Sequence, residues 1–132
     1  MIHYTAGYKY ILAESVALPT EVGTEKEISN NMLVLKTSGL LLIQKGYAWD
    51  GPSGPTVDTK SSMQASLAHD ALYQLMREGL LEPQHKPDAD RTLSVLGEAD
   101  GMWKWRARIW EKMVNAFGFR SAFKPREILT AP

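Results

Sequence analysis

The sequence predicts an α+β fold in which an N-terminal antiparallel β-sheet is followed by a unit of three helices. Short β-forming apolar runs fill the chain up to residue 45, and a loop rich in glycine and proline follows at residues 46–55. From about Thr59 onward the apolar spacing is helical. Because 132 residues can bury a core without disulfides, we expect a single domain over 1–132.

The first part of this domain, residues 1–57, is expected to hold mainly strands and the loop. Residues 8–18 are rich in β-formers and end at Pro19. Residues 32–36 and 40–45 flank a short glycine-containing turn, a pattern typical of a β-hairpin. Both of these runs are almost continuously apolar, so we expect the sheet to be covered on both faces.

The second part, residues 58–118, is expected to be helical. The first helix should span about Thr59 to Glu78 and end at Gly79, the second should begin near Pro87, and the third should cover about Met102 to Phe117. The last part, residues 119–132, is predicted to be an extended arm that orders on a partner. Apolar residues share one arc of the first helix (Ala65, Ala68, Ala71, Leu72, Leu75 and Met76) and one arc of the second (Ala89, Leu93 and Leu96).

Composition excludes several classes of function. Fifteen basic and fifteen acidic residues cancel, so nucleic-acid binding is not expected from bulk charge. The absence of cysteine excludes disulfides and thiolate metal sites. No apolar run is long enough for a transmembrane helix, and the first residues lack the pattern of a signal peptide. We expect a soluble intracellular protein or one assembled into a larger particle.

The chemistry of the chain is concentrated around His69. A histidine can take up a proton near neutral pH, and a carboxylate beside it can fix its tautomer. Tyr73 lies one helical turn further on the same side, whereas the adjacent Asp70 points about 100° away and is free to hold a cation or a second partner. Packing of the two apolar arcs predicts that Asp90, at the border of the second helix, meets His69. The structural alternative is a half-buried histidine and an aspartate that complements its helix dipole.

The order and spacing of these residues resemble a phage and prophage family known as domain of unknown function 1353. The resemblance covers about residues 40–120 and carries no particular activity with it. It rests on Gly46-Tyr47, Asp50-Gly51, Ser53, Pro55, the segment from His69 to Tyr73, Ala89-Asp90-Arg91 and Phe117-Gly118.

The segment around His69 is also similar to the active site of phospholipase A2, particularly its compact bacterial forms. This resemblance implies that His69 is the base that activates a water and that Tyr73 and Asp90 orient it. It further implies a Ca²⁺ cofactor bound by Asp70 and by oxygen atoms of the preceding loop, a donor type that calcium prefers. The implied metal ligands are Asp70, Tyr47, Trp49, Asp50 and Gly51. Without disulfides, packing alone would have to hold such a site.

The third helix is unusually apolar and aromatic. Its apolar residues cover more than half of the helical wheel, which exceeds what one neighbouring element usually covers. One interpretation is a central core helix with its tryptophans under the sheet. The other is a partner-binding surface that includes Trp103, Arg106 and Trp110 and faces a protein or a lipid interface. If buried, Arg106 would need a carboxylate, for which Asp100 and Asp90 are candidates.

The sequence therefore leaves two functional hypotheses. The first is a calcium-dependent ester hydrolase of the phospholipase A2 type in a phage or prophage protein, with His69, Asp90 and Tyr73 as its catalytic residues. The second is a non-catalytic phage accessory or virion structural protein that binds other phage structural proteins, or a lipid surface, through the aromatic helix and the C-terminal arm. In the second case the polar residues around His69 only hold two helices together.

Overall fold

The computed structural model describes residues 2–5, 10–49, 60–117 and 128–131, and it confirms the predicted α+β class. The strands are β1 (Ile2–Thr5), β2 (Tyr10–Ile11), β3 (Val16–Pro19), β4 (Ile28–Ser29), β5 (Leu33–Leu35), β6 (Leu40–Ile43), β7 (Ala48–Trp49) and β8 (Ile128–Ala131). The helices are α1 (Lys60–Arg77), α2 (Lys86–Ala99) and α3 (Lys104–Phe117), with a 3₁₀ turn (Pro83–His85) directly before α2.

The main sheet has four antiparallel strands in the order β3-β6-β5-β4. Its centre is the predicted hairpin β5–β6, which pairs Leu35 with Leu41 across the turn. The turn needs Gly39, whose φ of 94° favours glycine and where a Cβ atom would lie 2.7 Å from the carbonyl oxygen of Thr20. The remaining strands form two separate antiparallel pairs, β2 with β7 and β1 with β8.

The sheet is covered fully on one face only. Leu33, Leu35, Leu41 and Ile43 point to one side and are buried in the core. Val34 and Leu42 on the other side are half-buried, and Leu40 is exposed. The expectation of cover on both faces is therefore wrong for the described part of the chain, because apolar residues on both sides of a strand do not by themselves supply a second layer.

The helices pack through the arcs that the sequence predicts. All six predicted residues of the α1 arc are buried, as are Ala89, Leu93 and Leu96 of α2. The first helix ends as expected, with Gly79 at a φ of 75° and the amide of Leu80 donating to the carbonyl of Leu75. The second begins one residue earlier than Pro87, at Lys86, because the 3₁₀ turn leads straight into it.

Hydrogen bonds across the layers fix the helices relative to the strands. The Tyr47 hydroxyl donates to Oε1 of Gln74 at 2.8 Å, and the Trp49 indole donates to the Ser66 hydroxyl at 3.2 Å, so β7 and the residues before it hold α1. On α2, the Thr92 hydroxyl accepts from the backbone amide of Glu21 at 3.0 Å. These contacts set the axial position of both helices and hence of the polar side chains between them.

The third helix is not a central core helix with its tryptophans under the sheet. Trp110 is buried, but Trp103 and Trp105 are 71% and 59% exposed. The helix packs against α2, and only its side formed by residues such as Ala107 and Trp110 is covered. No helix in the described parts of the chain is long and apolar enough to cross a bilayer.

Residues 128–131 of the predicted C-terminal arm are described and are extended. They form β8, which pairs antiparallel with β1 so that Ile2 lies opposite Ala131. Residues 119–127 of the arm lie outside the described residues.

Candidate active site

His69 of α1 and Asp90 of α2 meet in the buried seam between the two helices. Nε2 of His69 lies 2.8 Å from Oδ1 of Asp90, and both side chains are almost completely shielded from solvent. The contact agrees with the expectation that the packing of the two apolar arcs brings these residues together. Since the carboxylate lies at Nε2, the neutral imidazole carries its proton there, and Nδ1 is then the basic nitrogen.

Tyr73 completes the arrangement from one turn further along α1. Its hydroxyl donates to the same Oδ1 atom that accepts from His69. Its ring also lies against the imidazole, with the two ring centres 4.1 Å apart. Burial raises the pKa of the Tyr73 hydroxyl, and the hydrogen bond to the Asp90 carboxylate raises it further. Tyr73 therefore acts as a hydrogen-bond donor and not as a proton acceptor.

Lys86 is a fourth member of the site that the sequence analysis missed. Its Nζ donates to Oδ2 of Asp90 at 2.8 Å and also to the main-chain carbonyls of Val114 and Asn115 in the last turn of α3, at 3.3 and 3.2 Å. The i, i+4 spacing to Asp90 is the signal that could have identified it. Lys86 lies one residue before the predicted start of the second helix at Pro87, so the helical spacing was not applied to it. We refer to His69, Tyr73, Lys86 and Asp90 as the polar cluster.

The polar cluster keeps Asp90 ionised although this side chain is fully buried. Burial alone raises the pKa of the Asp90 carboxyl, but hydrogen bonds from His69, Lys86 and Tyr73 outweigh it and hold the pKa below the ordinary value of 3.8. The Lys86 ammonium already balances the carboxylate charge.

Arg106 does not pair with Asp90, one of the two carboxylates predicted as its partner. Both carboxylate oxygens of Asp90 are taken by members of the polar cluster, and the positive charge beside them belongs to Lys86. Arg106 is half-buried on α3. The geometric reason is that Lys86 precedes Asp90 by one turn of the same helix, whereas Arg106 would have to reach across from another.

Nδ1 of His69 points away from Asp90 and makes no hydrogen bond to any residue in the described part of the chain. Asp70, next to His69 on α1, is half-buried and close enough to Tyr73 to raise the pKa of its hydroxyl electrostatically. The side of the imidazole that could act on a substrate is thus separate from the side that Asp90 holds.

The structure describes three of the five predicted metal ligands, Asp70, Tyr47 and Trp49. The carbonyl oxygen of Tyr47 accepts a hydrogen bond from the amide of Leu12 at 2.8 Å, and Trp49 lies in β7, paired with Tyr10. Asp50 and Gly51 lie outside the described residues. Among the residues described, no three histidine, aspartate or glutamate side chains come together as a metal site. Asp70 is the one predicted ligand whose carboxylate is described.

Of the predicted partner-binding residues, Trp103 is exposed, Arg106 is half-buried and Trp110 is buried. Trp110 is thus part of the core and not of a free surface, and its indole N–H has no hydrogen-bond partner among the described residues. The burial follows from its position on the side of α3 that faces α2, which the sequence could not orient.

An open cleft of about 860 Å³ lies elsewhere, between residues 23–29 and 80–85. Its wall includes His85, but none of its lining residues belongs to the polar cluster. The cleft, on the surface, is therefore separate from the polar cluster, which lies in the core.

No protein-family model, curated protein or solved structure matches this chain. The resemblances to the phage family and to phospholipase A2 therefore remain predictions from the sequence.

Proposed function

We propose that the chain is an ester hydrolase in which His69 acts as the general base. One observation carries the proposal: Oδ1 of Asp90 accepts hydrogen bonds from both His69 and Tyr73, which fixes the imidazole with Nδ1 directed away from the carboxylate. A base oriented by a buried carboxylate in this way supports general base catalysis.

In the proposed reaction Nδ1 of His69 accepts a proton from a water molecule as the water oxygen attacks the carbonyl carbon of the ester. The C–O bond to the leaving alcohol then breaks, and the imidazolium returns the proton to the alcohol oxygen, so the products are a carboxylic acid and an alcohol. Asp90 stabilises the transient imidazolium through Nε2. Tyr73 and Lys86 hold Asp90 in place and do not exchange protons during the reaction.

The described residues do not form a calcium shell around Asp70. Calcium takes six to eight oxygen ligands, whereas one carboxylate is described here and the Tyr47 carbonyl is engaged with β-sheet backbone. We therefore assign no step of the reaction to a metal ion. Calcium binding at Asp70 stays a separate prediction.

The experiment compares wild-type protein, His69→Ala and the control His85→Ala in a hydrolysis assay with short-chain p-nitrophenyl esters and with dispersed phospholipid. His85 is the matched control because it is a histidine of the 3₁₀ turn that lies outside the polar cluster. We expect His69→Ala to lose about 10²- to 10⁴-fold in rate while His85→Ala keeps wild-type activity. Wild-type protein that releases no product from either ester class, or a fully active His69→Ala, would contradict the proposal.

A second candidate function is favoured by the bonds from Lys86 to the Val114 and Asn115 carbonyls. Through them the polar cluster joins all three helices, as a purely structural device would. In that case the chain is a non-catalytic accessory or virion protein of a phage, located in the host cytoplasm or in the particle and working through contacts with other phage proteins. His69→Ala would then lower the free energy of unfolding, with no activity to lose.

A further inference from the structure

We propose that the exposed face of α3 binds the surface of an anionic lipid bilayer, with the helix lying parallel to the membrane plane. By the α3 face we mean six exposed residues in two rows: Trp105, Ile109 and Met113 in one, and Lys104, Arg108 and Lys112 in the other. The proposal goes beyond the hydrolase assignment and does not depend on it.

The apolar row is unusually exposed for a folded chain. Trp105, Ile109 and Met113 follow one another at four-residue intervals, so they form one stripe along the helix. The stripe is extended at the start of the helix by Trp103, whose ring centre lies 6.2 Å from that of Trp105. Single exposed apolar residues are ordinary, but a continuous stripe with two tryptophans marks a surface that contacts something.

The basic row follows the same four-residue spacing beside the apolar one. On a helical wheel Lys104, Arg108 and Lys112 lie about 100° from the corresponding apolar residues. α3 also contains one acidic residue, Glu111, which is half-buried and hydrogen-bonded to Ser94 of α2. The whole chain has equal numbers of acidic and basic residues, so the excess of positive charge on this helix is local.

This charge distribution favours a lipid surface over a protein partner. Lysine is depleted at protein–protein interfaces, whereas interfacial membrane helices combine lysine and arginine with tryptophan and aliphatic side chains. Tryptophan prefers the headgroup region, and basic side chains beside it meet anionic phosphates. The fourteen residues of α3 extend about 21 Å, which suits a helix lying on a membrane and not one crossing it.

The opposite side of α3 holds the helix in place for this contact. Ala107 and Trp110 are buried, and the Lys86 ammonium binds the main-chain carbonyls of Val114 and Asn115. The α3 face is therefore presented as a preformed surface, so binding does not have to overcome the cost of folding a helix.

The test uses vesicles of phosphatidylcholine alone and of phosphatidylcholine with 30% phosphatidylglycerol, both in EDTA so that no divalent cation contributes. Binding is measured by co-sedimentation and by tryptophan emission, since two of the four tryptophans, Trp49 and Trp110, are buried and the other two report on the α3 face. We expect binding and a blue shift with the anionic vesicles only, both lost in 0.5 M salt.

Two variants with the same change in net charge distinguish binding through the α3 face from a general effect of the protein's net charge. Arg108→Glu combined with Lys112→Glu should weaken binding by at least about 30-fold, because each basic residue contributes on the order of 1 kcal/mol at an anionic surface. The matched control combines Lys26→Glu with Lys45→Glu, two exposed lysines outside the helices, and should bind almost as wild type. Trp105→Ala should lose most of the blue shift.

Several results would overturn the proposal. These are equal binding to both vesicle types, no binding to either, or equal loss in the two charge-reversal variants. A dimer in sedimentation velocity that dissociates in Trp105→Ala would instead assign the α3 face to a second copy of the chain. Vesicle binding is measured without ester hydrolysis, so the two proposals fail separately. A protein that binds vesicles but hydrolyses no ester would contradict only the hydrolase proposal. A protein that hydrolyses esters but does not bind vesicles would contradict only the membrane-binding proposal.

Discussion

Replacing Lys86 by methionine should destabilise the fold by about 3–5 kcal/mol. Methionine keeps much of the length and apolar character of the lysine stem but removes the ammonium group. That group makes the 2.8 Å ion pair with Asp90 and two further hydrogen bonds to α3. Asp90 has no exposed surface, so water cannot replace the lost partner. Breaking a buried ion pair by removing one member typically costs the amount stated.

The same chain contains a matched control for this substitution. Lys36 and Glu27 form an ion pair of nearly the same length, 2.7 Å, but both side chains are about half exposed. Lys36→Met should therefore cost no more than about 1 kcal/mol. The difference between the two variants isolates the effect of burial from that of pairing.

Urea unfolding followed by circular dichroism measures both free energies, with the slope of the transition checked for each variant. A Lys86→Met variant whose unfolding free energy lies within about 1 kcal/mol of wild type, as expected for Lys36→Met, would refute the reasoning. It would mean that Asp90 takes up a proton or reaches water once the ammonium is gone. If Lys86→Met is too unstable to purify, Lys86→Arg, which retains the charge, should be recovered as a folded protein.

Three further predictions concern acid stability, calcium and a turn. The pKa of the Asp90 carboxyl in the folded state lies below its ordinary 3.8, so as the pH falls the unfolded chain takes up the proton before the folded chain does. The free energy of unfolding should therefore stay constant above about pH 4 and decrease below it, and this decrease should be less steep in Asp90→Asn. Millimolar calcium, but not magnesium, should raise the melting temperature of wild type and not of Asp70→Asn; an equal shift in both proteins would rule out Asp70 as a ligand. Gly39→Ala should cost about 1–3 kcal/mol in urea unfolding, because the new Cβ meets the Thr20 carbonyl at a positive φ, whereas Gly23→Ala has open space and should change stability by less than about 1 kcal/mol.

The pairing of His69 with Asp90 could be anticipated because two simple periodicities placed both residues at the edges of apolar arcs. Helices bury such arcs against each other, so residues at the two borders meet when the connector is long enough. Tyr73 followed from its spacing of four residues to His69. Lys86 has the same four-residue spacing to Asp90, but the spacing counts only if the helix includes Lys86, and helix boundaries are the least certain part of any sequence prediction.

The buried side of α3, in contrast, could not be predicted from the sequence. Apolar residues cover so much of this helix that its sequence does not say which side the core takes. The structure buries Trp110 against α2 and leaves Trp103 and Trp105 outside. Likewise, the sequence of the C-terminal arm predicts only an extended segment. Its pairing as β8 could not be predicted, because the partner strand β1 lies at the other end of the sequence.

The sequence by itself determined the α+β class with three helices after an N-terminal antiparallel sheet, the hairpin around Gly39 and the residues of the α1 and α2 arcs. These features follow from local rules: backbone preferences of glycine and proline, and the different periods of helix and strand. Only the tertiary structure decided that Lys86 also binds the last turn of α3, that α3 presents a basic and aromatic face, and that β1 pairs with β8. Each of these depends on groups distant in sequence that become neighbours through packing, which no local pattern encodes.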